Sequence, residues 1–212
     1  MAGENPKAIV SSGYDLASLA YRADQDPAAD AQYRSWLTPL LQQIRPGAAV
    51  LDLGCGCGIP AARILADQFL VTGVDISGVQ IERARSLVPN ATFLHADITS
   101  LSFAPGSFAA LVALYSLIHV PLEQQPALIS SLYSWLSARG LAVLIVGSHA
   151  WTGTEHDWLG VPGATMYWSH ADCSTYRGWF TDCGFSILEE AFIPEAQAGH
   201  QRFLLAKGPH DR

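Results

Sequence analysis

Positive charge is scarce in this chain. Its 212 residues hold 12 Lys and Arg against 19 Asp and Glu, a formal net charge of −7. No stretch is rich in Lys and Arg, so contact with a phosphate backbone would release few counterions, and nucleic acid is not an expected partner. Long apolar runs are missing too. Runs such as Leu141–Val146 are too short to cross a bilayer, so no membrane partner is expected. Met1–Lys7 is polar and lacks the apolar centre of a secretion signal. Cysteine is limited to Cys55, Cys57, Cys173 and Cys183, none in a C-x-x-C pair. With no second ligand pair, no metal site is expected, and a reduced cytoplasmic protein fits best. Charged residues make up only 15% of the chain while half are hydrophobic, which excludes extended disorder.

Five apolar segments read as buried parallel strands: Ala49–Leu53, Leu70–Asp75, Ala91–Leu94, Ala109–Tyr115 and Leu141–Val146. Strands covered on both faces are apolar almost throughout, as these are. Helical patterns alternate with them over Pro60–Gln68, Ser77–Leu87 and Leu122–Leu136, with Ser77 as a cap. The alternation predicts an α/β fold with a doubly wound sheet and right-handed crossovers. A helix over Ala171–Cys183 follows, with Ser169 and Asp172 spaced as a capping box and Gly184 as its stop. Two strands, Phe185–Ile193 and Gln201–Lys207, close the pattern, joined by a polar hairpin-like link. Upstream, Tyr33, Trp36, Leu37, Leu40, Leu41 and Ile44 mark a helical extension that Pro39 is expected to kink or divide.

The chemistry is concentrated in Val50–Pro60. An apolar run stops at three glycines on alternate positions, Gly54, Gly56 and Gly58, and a helix begins at Pro60. Glycine lacks a Cβ, so this backbone can turn sharply and touch a ligand. Asp75 lies 21 residues beyond Gly54 at the end of the second strand, where a carboxylate can hold ribose hydroxyls. The spacing Gly-x-Gly-x-Gly differs from the dinucleotide Gly-x-Gly-x-x-Gly and points to a nucleoside cofactor without a pyrophosphate. One domain is expected over residues 1–212. It divides into a helical N-terminal cap (1–46), a cofactor-binding core (47–147), an aromatic insertion or lid after the fifth strand (148–170), and a C-terminal helix and strand pair (171–212).

Val50–Pro60, Gly73–Ser77, His95–Ile98, Phe108–Val120 and Leu136–Gly147 resemble the successive motifs of class I S-adenosylmethionine-dependent methyltransferases. The resemblance covers roughly residues 46 to 207, and the Tyr14-Asp15 and Tyr21 segment is similar to the lead-in of small-molecule members. It implies a Rossmann-like sheet of seven strands with the last antiparallel, S-adenosyl-L-methionine as cofactor and S-adenosyl-L-homocysteine as product. It places Gly54, Cys55, Gly56 and Gly58 along the methionine part, and Asp75 on the ribose. It sets Ile76 and Ile98 beside the adenine, Asp97 on its amino group, and Leu114 and Tyr115 near the sulfonium. Tyr14 and Tyr21 would cover the cofactor from the N-terminal side. Cys57 stands where many relatives carry Ser or Thr.

Two histidines are candidate bases. His119 follows the fourth strand, where ligands bind in such sheets, and its ordinary pKa is near neutrality. The alternative for His119 is ordering that turn. His170, read at a helix start beside Tyr167 and Trp168, is the second candidate. Trp151, Trp158, Tyr167 and Trp168 are expected to wall a pocket for a small-molecule acceptor, aromatic or amine. The competing readings are an NAD(P)-dependent oxidoreductase, a non-catalytic cofactor-binding partner protein, and a methyltransferase acting on proteins.

Overall fold

A computed structural model describes residues 4–25, 27–195 and 199–208. Seven strands form one sheet: β1 (Ala49–Leu53), β2 (Leu70–Asp75), β3 (Thr92–His95), β4 (Phe108–Leu114), β5 (Leu136–Gly147), β8 (Phe185–Pro194) and β9 (Gly199–Lys207). Two more, β6 (Trp151–Glu155) and β7 (Met166–His170), pair separately as a hairpin. The sheet order is β3-β2-β1-β4-β5-β9-β8, with β1 to β5 parallel and β9 antiparallel to both neighbours. This is the seven-stranded Rossmann-like arrangement with an antiparallel last strand.

Six helices surround it: α1 (Pro6–Tyr21), α2 (Pro27–Gln43), α3 (Ala61–Ala66), α4 (Gly78–Leu87), α5 (Gln125–Trp135) and α6 (Cys173–Asp182). Side chains alternate across each central strand. In β4, Ala110 and Val112 join the core with Leu37, Leu40 and Leu65 on one face, while Leu111 and Ala113 pack with Leu132, Tyr176 and Phe180 on the other. Truncating a fully buried leucine such as Leu111 to alanine would cost about 2–5 kcal/mol.

Helix α1 lies on the carboxyl side of the sheet and is fastened there by polar contacts. Ser11 Oγ donates to Ile76 O at 2.9 Å, Ser77 Oγ donates to Asp15 at 2.5 Å, and Arg83 donates to Ser18 O at 2.9 Å. The hairpin packs on α1 through Val10, Ala17, Trp158 and Met166.

Several boundaries differ from the sequence reading. The third helix is shorter than Pro60–Gln68, with Pro60 as its cap rather than its first residue. The stretch Leu122–Leu136 splits into a short 3-10 turn and α5, because Leu136 pairs with Phe108 and starts β5. Helix α2 is not divided at Pro39, which lies inside it without an N–H to donate to Ser35 O. Asp172 alone caps α6, accepting from Thr175 N at 2.8 Å. Ser169 lies in β7 and accepts instead from Leu122 N at 3.1 Å, so there is no capping box. Ser77 does cap α4, accepting from Gln80 N at 3.1 Å, and Gly184 ends α6 at φ +96°. Pro194 pairs with Gly199 across the expected hairpin link, whose residues 196–198 lie outside the described residues, as do 1–3 of the polar N-terminal stretch.

Candidate active site

The carboxyl ends of β1, β2 and β4 open into a cavity of about 620 Å³, counted out to its solvent-open mouth. Its floor is the glycine turn. Gly54 has φ +70°, and a Cβ there would fall 2.2 Å from Ser116 Cβ. Gly56 has φ +53°, yet a Cβ on it would meet nothing within 4 Å, so bare backbone faces the space. The Gly56 N–H donates to Asp75 Oδ2 at 2.8 Å, and Ser77 N–H donates to Asp75 Oδ1 at 2.9 Å. Burial pushes the Asp75 carboxyl up, and these two N–H groups oppose it. The carboxylate is therefore fixed in orientation, and each oxygen keeps a further lone pair for a ligand.

Asp52, on β1 below the turn, is almost wholly buried, and its Oδ2 has no hydrogen-bond partner among the described residues. Burial, with Asp75 nearby, pushes its carboxyl up to about 7. A carboxyl raised on folding favours the fold below its unfolded value and loses that advantage as pH rises towards 7. Ionised Asp52 therefore costs the empty protein at most about 4 kcal/mol above neutrality. Asp52→Asn is expected to melt higher than the parent at pH 8, by about 2–4 °C per kcal/mol recovered. At pH 5 the gap should shrink, and a gap constant across this range would show an ordinary carboxyl.

At the far end of the cavity stand Ile76, Asp97 and Ile98. Asp97 Oδ1 accepts from Thr99 N at 2.9 Å, and Oδ2 accepts from Lys7 Nζ at 2.7 Å. Burial raises the Asp97 carboxyl, but Lys7 and Thr99 outweigh it and hold it below the usual range. Lys7 itself lines the cavity, a role the sequence reading missed because nothing local ties α1 to residue 97.

A second cavity, about 680 Å³ on the same count, adjoins the first. Tyr14, Tyr21, Tyr115 and His119 line both. The second adds Arg22, Tyr33, Trp168, Glu195 and His200. His119 is held at both ring nitrogens: Nε2 is 3.0 Å from the Tyr14 hydroxyl, and Nδ1 is 2.7 Å from Tyr167 O. With Nδ1–H donating to the carbonyl, Nε2 accepts from Tyr14. Burial is the main reason its pKa falls to about 4.

The structure brings together Tyr14, Tyr21, Gly54, Gly56, Asp75, Ile76, Asp97, Ile98, Leu114, Tyr115 and His119 around the first cavity. Other expected residues stand elsewhere. Gly58 turns its open side to Val88, Phe93 and Ala84, so it serves helix packing. Cys55 and Cys57 line a small recess beneath the turn with Asp52 and Arg22. Trp158 is buried edge-on against Tyr14 at 5.2 Å and lines neither cavity. Trp151 is exposed at the open end of the hairpin, opposite its turn, and Tyr167 offers His119 its backbone carbonyl. Of the four expected wall aromatics, Trp168 lines the second cavity. His170 ends β7 rather than starting a helix; its Nδ1 lies 2.5 Å from His149 O, and it borders neither cavity. Among the described residues no group of His, Cys, Asp and Glu is placed to hold a metal.

A profile described as a methyltransferase domain matches residues 50–140. The 27-O-demethylrifamycin SV methyltransferase of Amycolatopsis mediterranei is 40% identical over 85 residues, 37% of this chain and 31% of that protein. The 2-methyl-6-phytyl-1,4-hydroquinone methyltransferase of Synechocystis is 42% identical over 86 residues, 38% of this chain and 27% of that protein. The chain thus aligns with about a third of the length of these curated relatives. The structure of magnesium protoporphyrin IX methyltransferase from Synechocystis with bound S-adenosylmethionine superposes with a TM-score of 0.74. It shares 21% identity, covering 98% of this chain and 100% of that one.

The chain has the fold of the S-adenosylmethionine-dependent methyltransferases, and its residues 50–140 match a methyltransferase domain.

S-adenosylmethionine, the ligand of that superposed structure, fits the first cavity. The open side of Gly56 leaves room against bare backbone. Asp75 presents a fixed carboxylate to a sugar diol. No helix among the described residues of the chain is long and apolar enough to cross a membrane.

Proposed function

We propose that the chain transfers a methyl group from S-adenosylmethionine to a small, flat acceptor seated in the second cavity. The observation that carries this reading is the shared wall: four side chains, Tyr14, Tyr21, Tyr115 and His119, border both cavities. Methyl transfer is an in-line displacement and needs donor and acceptor about 3–3.5 Å apart across one gap. Positive charge leaves the sulfur as the methyl moves, so a dry aromatic gap favours the step over open water. The aromatic lining supports a planar acceptor. So do the relatives, whose names specify a rifamycin, a phytyl hydroquinone and a magnesium porphyrin as what they methylate. The four free cysteines suit work in a reducing cytoplasm.

Titration with S-adenosylhomocysteine and with NADH, followed by tryptophan fluorescence, tests the cofactor. Quenching by the first alone is expected, and quenching by NADH alone would return the chain to the oxidoreductases. Label transfer from methyl-labelled S-adenosylmethionine to planar phenols and amines then tests the activity. Binding without transfer to any acceptor would make the chain a cofactor-binding partner protein.

A further inference from the structure

The second cavity holds an imidazole that neither the glycine turn nor the family motifs single out. His200 is the second residue of β9, in register with Gly147 at the end of β5 and with Ile193 of β8. Ladders on both sides hold its backbone where the central strands end. Its Nδ1 lies 2.9 Å from Glu195 Oε1, and its ring meets Tyr115 edge-on with centroids 4.9 Å apart. Tyr115 is part of the wall between the cavities, so His200 stands beside the gap that the methyl group must cross.

His119 and His170 are committed elsewhere. Both nitrogens of His119 are engaged, so it has no lone pair left for a substrate. His170 points away to the His149 carbonyl. For His200, a carboxylate at Nδ1 selects the tautomer with the proton on Nδ1, which leaves the Nε2 lone pair outward. No described residue forms a hydrogen bond to that Nε2. Burial lowers the His200 pKa against the raising effect of Glu195, so the ring is a neutral base at physiological pH.

Building on the methyltransferase reading, we propose that His200 is the general base for a phenolic hydroxyl acceptor, with Glu195 as its positioning residue. His200 Nε2 takes the hydroxyl proton as the acceptor oxygen forms its bond to the methyl carbon. The carbon–sulfur bond breaks, and its electron pair stays on sulfur. Glu195 balances the imidazolium, and its half-exposed side lets the proton pass to water.

Two readouts test this, each on the full chain with S-adenosylhomocysteine or its methylated parent bound. In long-range ¹H–¹⁵N spectra of the S-adenosylhomocysteine complex, catechol should shift the unprotonated Nε2 of His200, and catechol dimethyl ether should not. In turnover, His200→Gln should slow methylation of catechol about 10²–10⁴-fold, the range of general base catalysis. The same variant should slow 4-nitrocatechol, ionised at mildly alkaline pH, less than about tenfold. Glu195→Gln should fall between parent and His200→Gln, with KM little changed in both. Equal losses with the two catechols, an unmoved Nε2, or no methylation of either catechol would overturn the proposal. Calorimetry with S-adenosylhomocysteine separates the two levels: parent protein that fails to bind it refutes the methyltransferase reading, whereas normal binding with any of those outcomes refutes the base alone.

Discussion

Asp75→Ala is expected to weaken S-adenosylhomocysteine binding by about 3–6 kcal/mol, from the loss of two charge-assisted hydrogen bonds to the ribose. Calorimetry would read this as a dissociation constant raised by at least two orders of magnitude. The carboxylate also organises its surroundings, since it accepts from Gly56 and Ser77. Asp75→Asn separates these roles. The amide keeps one acceptor oxygen for the turn but gives up the charge and half of the acceptor capacity. Asn should therefore recover part of the melting temperature lost by Ala while binding stays poor. Unchanged affinity in Asp75→Ala would falsify the ribose assignment.

Gly54→Ala and Gly56→Ala should fail in different ways. Both positions have positive φ, which costs an L-residue roughly 1–2 kcal/mol. At Gly54 the new methyl would lie 2.2 Å from Ser116 Cβ, so β1 and β4 must move apart. Overpacking of that kind adds about 1–3 kcal/mol, and the variant should melt well below the parent. At Gly56 the methyl meets no protein atom within 4 Å. That variant should fold with only the backbone penalty and lose cofactor affinity tenfold or more, because the methyl occupies ligand space, about 1.4 kcal/mol or more in binding. Thermal melts and calorimetry on the pair settle this. Gly56→Ala that binds normally would mean that the cofactor does not approach the turn.

How far the site can be read from the sequence depends on how local each contribution is. β1 and β2 match the expected spans residue for residue, because a parallel strand buried on both faces is an uninterrupted apolar run. Gly54, Gly56, Asp75 and Asp97 could be found because they lie at successive strand ends, where the fold itself gathers them. Lys7, Arg22, Tyr33, Glu195 and His200 come from the first two helices, the segment joining them and the last strand pair. Only packing brings them to the cavities, and no spacing encodes it. Tyr33 counted as one more residue on an apolar helix stripe, and Glu195 and His200 as a polar link.

The aromatic insertion shows a different difficulty. Residue types marked it as important, but the side each ring faces depends on hairpin register. Trp151 pairs with His170 and Gly153 with Trp168. In a strand one residue of slip exchanges the two faces. Trp158 lies in the turn between the strands and was drawn under α1 as a packing residue.

The strand that comes last in order does not lie at the sheet's margin. β9 is threaded between β5 and β8, and it carries Phe203 and Leu205 into the core. A polypeptide halted before residue 199 would have every central parallel strand and yet leave β5 and β8 with a gap between them. The sheet therefore closes only when β9 inserts between strands far from it in the chain. The strand that fills this gap also carries His200 to the second cavity, so closing the sheet and completing the cavity wall are one structural event.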